Sequence, residues 1–405
     1  MNSAQALVIR GLSTLSAVGS AVSDWNSALV RPCAPASVAE HLNGRVVFEL
    51  PPAVQQRLSY LMQEPSFRKL DRTTLLALAT VDETLGCIDP QTPIGCISFG
   101  SSRGPTNSIE QTFSSFMQDH GRVPALTSPI TTAGNISSWV AQRYLSFPNS
   151  GEHNTPVATL STSMTCSSAF HSLLVATSFL RAGMAKACLF GGVESCLTAY
   201  TLGQLEALKI YTQSHHAPWP CQPLAVPGTA HASTVTLGEG AGSALLTLAD
   251  RFSCNGDLEL CALGWHLEAI PSATGISIDG QALQGAMRMA QKALGTRKVD
   301  AVIAHAPGTR AGDEAELRAI RSVFGTIPVC TTKHLTGHTY GASGMVGLSL
   351  ASALLNHGAR WTGLPYPNLL GPADEVAPPL KTIAINTAGF GGNAITVVVG
   401  VPSWG

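Results

Sequence analysis

The sequence predicts an α/β protein built on buried sheets, and three observations predict it. Short apolar, β-branched runs alternate with longer stretches of helical spacing along all 405 residues. Covered sheets flanked by helices leave that pattern. Hydrophobic residues make up 45% of the chain and charged residues only 12%, where ordinary soluble domains carry roughly 25% charged. So little charge covers a monomer poorly, so a large core and a sizeable subunit interface are expected. The strand–helix series also runs similarly in both parts of the chain, which suits two related halves.

In chain order, "QALVIRGL" is the first strand. No basic segment precedes an apolar stretch there, so the N-terminus reads as a strand and not as a secretion signal. "RTTLLALATVDETL" has helical spacing, "PIGCISFGS" and "VATLSTSMT" read as strands, and "SSAFHSLLVATSFLRAG" is a helix. That helix places Ala169, Leu173, Ala176 and Leu180 on one face and stops at Gly183. The strands "ACLFGGVES" and "GSALLTLAD" follow, separated by a Pro/His-rich loop at 214–231, "SHHAPWPCQPLAVPGTAH". Loops of that length inside a domain are usually functional.

Turn residues at Ser253–Asp257, "SCNGD", mark a soft boundary between halves at 1–255 and 256–405. Beyond it, "LELCALGWHLEA", "VDAVIAHAPG", "IPVCTT", "KTIAINTAG" and "AITVVVGVP" read as strands. "GQALQGAMRMAQKALG" and "ASGMVGLSLASALLNHG" read as helices.

A net charge of −1 argues against nucleic acid as a main partner. No apolar run reaches the roughly 18 residues of a membrane span. Ten cysteines are scattered without a C-x-x-C pair or zinc spacing, so free thiols and a cytoplasmic enzyme are expected. His215 and His216 have no carboxylate or cysteine cluster at ligand spacing, and read as a solvated loop; no metal is expected.

Four stretches carry chemistry. Cys166 stands where a strand gives way to a helix, where free N–H groups favour a thiolate or a developing oxyanion. The same spacing fits a small buried cysteine at a tight turn. The strand Val299–Ala304 delivers His305 at its end, and Asp313 and Glu316 open the next helix. A core histidine bonded to backbone fits equally. Lys333 is placed at a strand end, with His338 five residues on in a Gly-rich turn. A nearby lysine disfavours imidazolium and keeps that histidine neutral. In "NTAGFGGNA", Gly389, Gly391 and Gly392 flank Phe390, as in a mobile loop or an ordinary hairpin turn.

The order of these motifs, with Gly-Glu-Gly-Ala-Gly at 238–242 between cysteine and histidines, resembles the β-ketoacyl-ACP synthases of the thiolase superfamily. The resemblance spans nearly the whole chain. It implies a five-layered αβαβα thiolase fold made of two related halves, a dimer and no cofactor. It implies Cys166 as nucleophile, His305 and His338 as decarboxylation pair, and Lys333, Glu316 and Asp313 as charged support. Phe390, with Gly389 and Gly391, matches the gate. The backbone N–H groups of Cys166 and Phe390 match the oxyanion hole, and Thr309 the pantetheine tunnel. Arg68 and Lys69 match basic positions that meet the acyl carrier protein in relatives.

The expected reaction is decarboxylative condensation of a malonyl carrier thioester with an acyl-enzyme. The Gly-rich loop lacks a second cysteine, which sets degradative thiolases aside. His338 stands where initiating synthases have asparagine. Departures are Gln222-Pro223-Leu224-Ala225 in the gating loop, Ala306-Pro307 after His305, and Ala388 before the Gly-Phe-Gly-Gly motif. Together they favour specialised polyketide or aryl polyene synthesis. The partner subunit is either a second copy or a chain-length-factor relative. Two rival readings are a thioester hydrolase or acyltransferase using the same cysteine, and a silent chain-length subunit.

Overall fold

Long apolar runs without polar alternation can be strands only if both faces are covered, and the architecture covers them. The structure is a computed structural model describing residues 5–31, 33–146, 156–228, 233–249, 256–270, 272, 274–371 and 375–402. The first part contains β1 (Leu7–Leu15), α1 (Asp24–Ala28), β2 (Ser37–Ala39), β3 (Arg45–Val47), α2 (Pro52–Leu61), α3 (Arg72–Gly86), β4 (Ile94–Gly100), α4 (Thr106–Gln118), α5 (Thr127–Thr131), α6 (Asn135–Leu145), β5 (Ala158–Thr162), α7 (Ser168–Arg181), β6 (Ala187–Glu194), α8 (Ala199–Ala207) and β7 (Gly240–Leu248). The second contains β8 (Leu258–Leu267), α9 (Gln281–Leu294), β9 (Ala301–Ile303), α10 (Arg310–Phe324), β10 (Val329–Cys330), α11 (Lys333–Thr336), α12 (Ser343–Asn356), β11 (Thr382–Gly389) and β12 (Asn393–Gly400).

Ten strands form one ladder, β10-β9-β11-β12-β8-β1-β7-β6-β4-β5, and β2 and β3 pair separately. Numbered along each part of the ladder, both five-strand sets have the order third, second, fourth, fifth, first. The strand directions match as well: β4 is parallel to β5 and β6, as β9 is to β10 and β11, and the remaining pairs are antiparallel. The sets meet where β1 and β8 pair antiparallel, Leu7 opposite Leu260 and Ile9 opposite Leu258. The proposed boundary at Ser253–Asp257 falls mostly outside the described residues.

The layers follow from the packing. Helices α3 and α6 cover one face of the first set, and α9, with α10 on it, covers the far face of the second. Between them lie α7, against β4 and β6, and α12, which touches both β7 and β11. Helix α12 is accordingly apolar around its whole circumference, with twelve residues buried from Ser343 to Leu354. This is the five-layered αβαβα thiolase fold. The predicted face of α7 is buried at Ala169, Leu173, Ala176 and Leu180. The short β2–β3 hairpin and helices α1, α2, α4, α5, α6, α8 and α11 were not anticipated.

Candidate active site

The nucleophile segment folds around a tight turn. β5 ends at Thr162, Thr165 takes φ +49, and α7 starts at Ser168 with Cys166 just ahead of it. A left-handed conformation is costly for a β-branched residue. Ala306, next to His305, has φ +31, and Tyr340, two residues past His338, has φ +38. Positive-φ backbone thus accompanies each of the three candidate side chains, Cys166, His305 and His338.

The three converge. Cys166 Sγ lies 3.2 Å from His338 Nε2. The rings of His305 and His338 stand edge-on with centroids 5.2 Å apart. One potential ligating atom from each of the three falls within 4.8 Å of the others. All three line a cavity of about 590 Å³. Leu205, Leu208, Ile210 and Val235 give it apolar walls, and Thr309 and Arg310 stand on its polar lining.

Each histidine is held by backbone geometry. β9 ends at Ile303 and delivers His305, whose N–H donates to Glu316 Oε1 at 2.8 Å. Ala306 N–H donates to Glu316 Oε2 at 2.6 Å, and Asn386 Nδ2 to Oε1 at 3.1 Å. Lys333 Nζ donates to the His305 carbonyl. His338 N–H donates to Thr236 O at 2.7 Å. Asp313 accepts from Leu224 N–H at 2.6 Å and Gly308 N–H at 3.1 Å. Glu316 and Asp313 therefore clamp loops, a contact that neither their helix-opening position nor the expected charged support specified. The altered 222–225 loop is pinned to α10 through Asp313.

Burial sets the charge states. His305 and His338 are held well below the ordinary imidazole range, by desolvation first and then by the Lys333 ammonium; His338 adds to the effect on His305. Both shifts favour the neutral form, which was expected for His338 from the nearby lysine, although burial is the larger cause for each. His305 Nδ1 is buried without a partner among the described residues. The Cys166 thiol is pushed up to about 12 by burial, with Lys333 pulling it back. This corrects the expectation of a helix-stabilised thiolate: desolvation outweighs a helix-end contribution of about 0.3–1 kcal/mol. The resting group is a thiol, and His338 Nε2 is placed to take its proton.

Lys333 opens the short helix α11 and does not end a strand, because β10 stops at Cys330. Gly389 and Phe390 line the cavity, whereas Gly391 does not. Arg68 and Lys69 are exposed and also lie off the cavity lining. His215 packs edge-on against Tyr211, centroids 5.7 Å apart. Besides Asn386 on Glu316, three residues escaped the sequence reading. Tyr340 packs on His338 with centroids 4.9 Å apart. Glu194 accepts from Ser102 N–H at 2.8 Å and Gly341 N–H at 3.1 Å. Asn393 lines the cavity beside Phe390. Only Glu194 left a signal, a charge closing an apolar strand.

Residues 59–251 match the N-terminal domain of the β-ketoacyl synthases, and residues 262–363 match the C-terminal domain. The chain belongs to the β-ketoacyl synthase family. Nodulation protein E of Rhizobium leguminosarum bv. trifolii is 29% identical over 297 residues, covering 68% of this chain and 67% of the relative. The mitochondrial 3-oxoacyl-[acyl-carrier-protein] synthase of Arabidopsis thaliana is 30% identical over 247 residues, 56% of this chain and 53% of the relative. The chain thus spans about half to two thirds of these relatives' length. Among solved structures, a ketosynthase in complex with its chain length factor from Xenorhabdus doucetiae superposes with a TM-score of 0.76 at 20% identity, covering 99% of each chain. A β-ketoacyl synthase from Burkholderia phymatum gives 0.82 at 19% identity, covering 98% of this chain and all of that one. At these identities the structures support the fold alone.

Proposed function

We propose that this β-ketoacyl synthase joins an acyl group, held as a thioester on Cys166, to a malonyl group on an acyl carrier protein with loss of carbon dioxide. The observation that carries the reading is the meeting of one buried thiol and two imidazoles held toward the neutral form on the lining of a cavity of about 590 Å³.

In the first half-reaction Cys166 Sγ adds to the acyl thioester carbonyl, and its proton passes to His338 Nε2. The tetrahedral oxyanion is held by the Cys166 and Phe390 N–H groups. Its collapse expels the carrier thiol, which takes the proton. In the second half-reaction His305 and His338, the latter once its single proton has moved from Nδ1 to Nε2, donate hydrogen bonds to the malonyl thioester carbonyl. The bond to the carboxylate breaks, carbon dioxide leaves, and the electron pair is held as an enolate. That carbon attacks the acyl thioester, and Cys166 leaves as a thiolate that takes a proton from solvent, because the one it lost left with the carrier thiol. An oxyanion-hole donor is typically worth about 2.7–4 kcal/mol.

Thr309 on the cavity lining supports a role in holding the pantetheine arm, and exposed Arg68 and Lys69 support docking of an acidic carrier. A specialised polyketide or polyene role is favoured by the altered 222–225 and 306–307 segments. A reducing, cytoplasmic setting is supported by nine described cysteines, all free thiols. Among the described residues no helix is long and apolar enough to cross a membrane. The partner is a second copy or a chain-length-factor relative.

Intact mass spectrometry tests the reading. The protein should gain an acyl mass from an acyl carrier and, given malonyl carrier, release a chain two carbons longer. Cys166→Ala should lose the adduct. His305→Ala should keep it and fail to extend. Normal extension by His305→Ala would remove the decarboxylation role. Acyl release without any malonyl requirement would favour a hydrolase, and unchanged product from Cys166→Ala in an assembled complex a silent subunit.

A further inference from the structure

Asn393 carries no reacting group, yet it is buried to 6% exposure on the cavity wall. It opens β12 and pairs with Gly389 across the three-residue turn Phe390-Gly391-Gly392. Gly391 and Gly392 take φ +92 and +77, so the turn folds back over the start of β12. The carboxamide fills its inside: Nδ2 donates to the Phe390 carbonyl at 3.0 Å, and Oδ1 accepts from Ser167 Oγ at 2.5 Å. The orientation is fixed by chemistry, because a backbone carbonyl can only accept. Ser167 directly follows Cys166. One side chain therefore bridges the residue after the nucleophile and the tip of the Gly-rich loop.

The two segments have little slack between them. A Cβ on Gly389 would stand 1.6 Å from Thr165 Oγ1 and 3.2 Å from Asn393 Nδ2. Thr165 directly precedes Cys166. The loop thus packs on the nucleophile turn at one side and is tied to it by Asn393 at the other.

We propose that Asn393 is a positioning residue that sets the separation of the Cys166 and Phe390 N–H groups, and so the size of the oxyanion hole. The inference rests on the condensing reading above. Donors must sit about 2.7–3.1 Å from the oxyanion, and a misplacement of about 1 Å can cost ~10²-fold. The two half-reactions depend on this differently. Thiol addition forms a carbon–sulfur bond and moves the carbonyl π pair onto oxygen, which the hole must hold. Malonyl decarboxylation breaks a carbon–carbon bond and delivers charge to an oxygen facing the histidines. Asn393 should therefore matter to acylation and little to decarboxylation.

The test uses Asn393→Ala and Asn393→Asp in the full-length protein. Aspartate keeps the shape and the acceptor for Ser167 but replaces the donor to Phe390 with an oxygen, so it serves where alanine fails to fold. Single-turnover acylation of Cys166 is followed by intact mass, carbon dioxide release from malonyl carrier separately, and unfolding in urea alongside. Acylation should fall about 10²-fold in both variants, with carbon dioxide release within about threefold of wild type. Wild-type acylation in Asn393→Asp overturns the proposal. So does an equal fall of both activities in a variant with wild-type unfolding, which would make Asn393 a packing residue. Wild-type protein that takes up no acyl group would instead sink the condensing reading.

Discussion

At the scale of single residues, the resting state of Cys166 is decided by competition between burial and charge. Desolvation raises the thiol to about 12, and the Lys333 ammonium is the main opposing influence. Lys333 is itself lowered by burial, with Glu316 the largest of the groups that hold its proton in place. The thiol form is therefore favoured near neutrality, and under the proposed condensing reaction attack on a thioester is coupled to proton transfer to His338. Alkylation by iodoacetamide, which needs the thiolate, should rise from pH 7 to 10 with no plateau. Lys333→Met removes the group that lowers the thiol and should slow alkylation further at each pH. Mass spectrometry of the Cys166 peptide against time at several pH values reads this, separating it from the exposed thiols Cys33 and Cys87. A plateau below pH 8, or faster labelling of Lys333→Met, would overturn the assignment. The buried His334 adds a separate dependence. Burial between Trp219 and Trp361 lowers it to about 3. The unfolded chain binds that proton from about pH 6.5 downward, so this site contributes a loss of stability as pH falls from 6.5 toward 3.

At the scale of elements, the nucleophile turn depends on strands thin enough to let α7 approach. A Cβ on Gly100 of β4 would meet the Ser168 carbonyl oxygen at 2.2 Å. One on Gly192 of β6 would meet Ala169 Cβ at 2.4 Å and the Gly341 carbonyl at 2.9 Å. Backbone and a short rigid side chain cannot move aside, so Gly100→Ala and Gly192→Ala should each destabilise the protein by about 1–3 kcal/mol. Urea unfolding at equilibrium measures it, with Gly203→Ala as control because nothing lies within 4 Å there. An unchanged midpoint in both variants would mean that α7 sits farther out. These glycines lie inside strands the sequence made plain, "PIGCISFGS" and "ACLFGGVES", because a doubly covered strand is a continuous apolar run. Three-residue β2 and β3 and four-residue α11 were invisible to periodicity, which needs more than one repeat to register. Cys166, His305 and His338 were legible because each ends or follows a recognisable element. Asn393, Tyr340 and Asn386 were not, since each acts through a contact with a segment far away in sequence, such as Asn393 with Ser167.

At the scale of the whole molecule, the shortage of charge predicts a covered face, and the structure offers a place for it. β5 ends the ladder as an edge strand with alternate residues exposed, and an unpaired edge invites another chain. Helix α4, amphipathic in spacing, shows Ile109, Phe113, Phe116 and Met117 to solvent at 43%, 63%, 40% and 66% exposure. Their spacing of four, three and one residues makes a single stripe, and Phe113 stacks on Phe116 with centroids 6.4 Å apart. A stripe of that kind on a folded protein marks an association face, and most associations of like chains close as two-fold dimers. Sedimentation velocity should find the purified chain dimeric at micromolar concentration. Phe113→Glu combined with Met117→Glu places two charges in the stripe and should shift the population to monomer, while Tyr60→Glu on α2, at an equally exposed aromatic residue, should leave the dimer intact. A double variant that stays dimeric removes the stripe from the interface. A wild-type chain that is monomeric alone and dimeric only with a chain-length-factor relative would keep the face and assign it to a different partner.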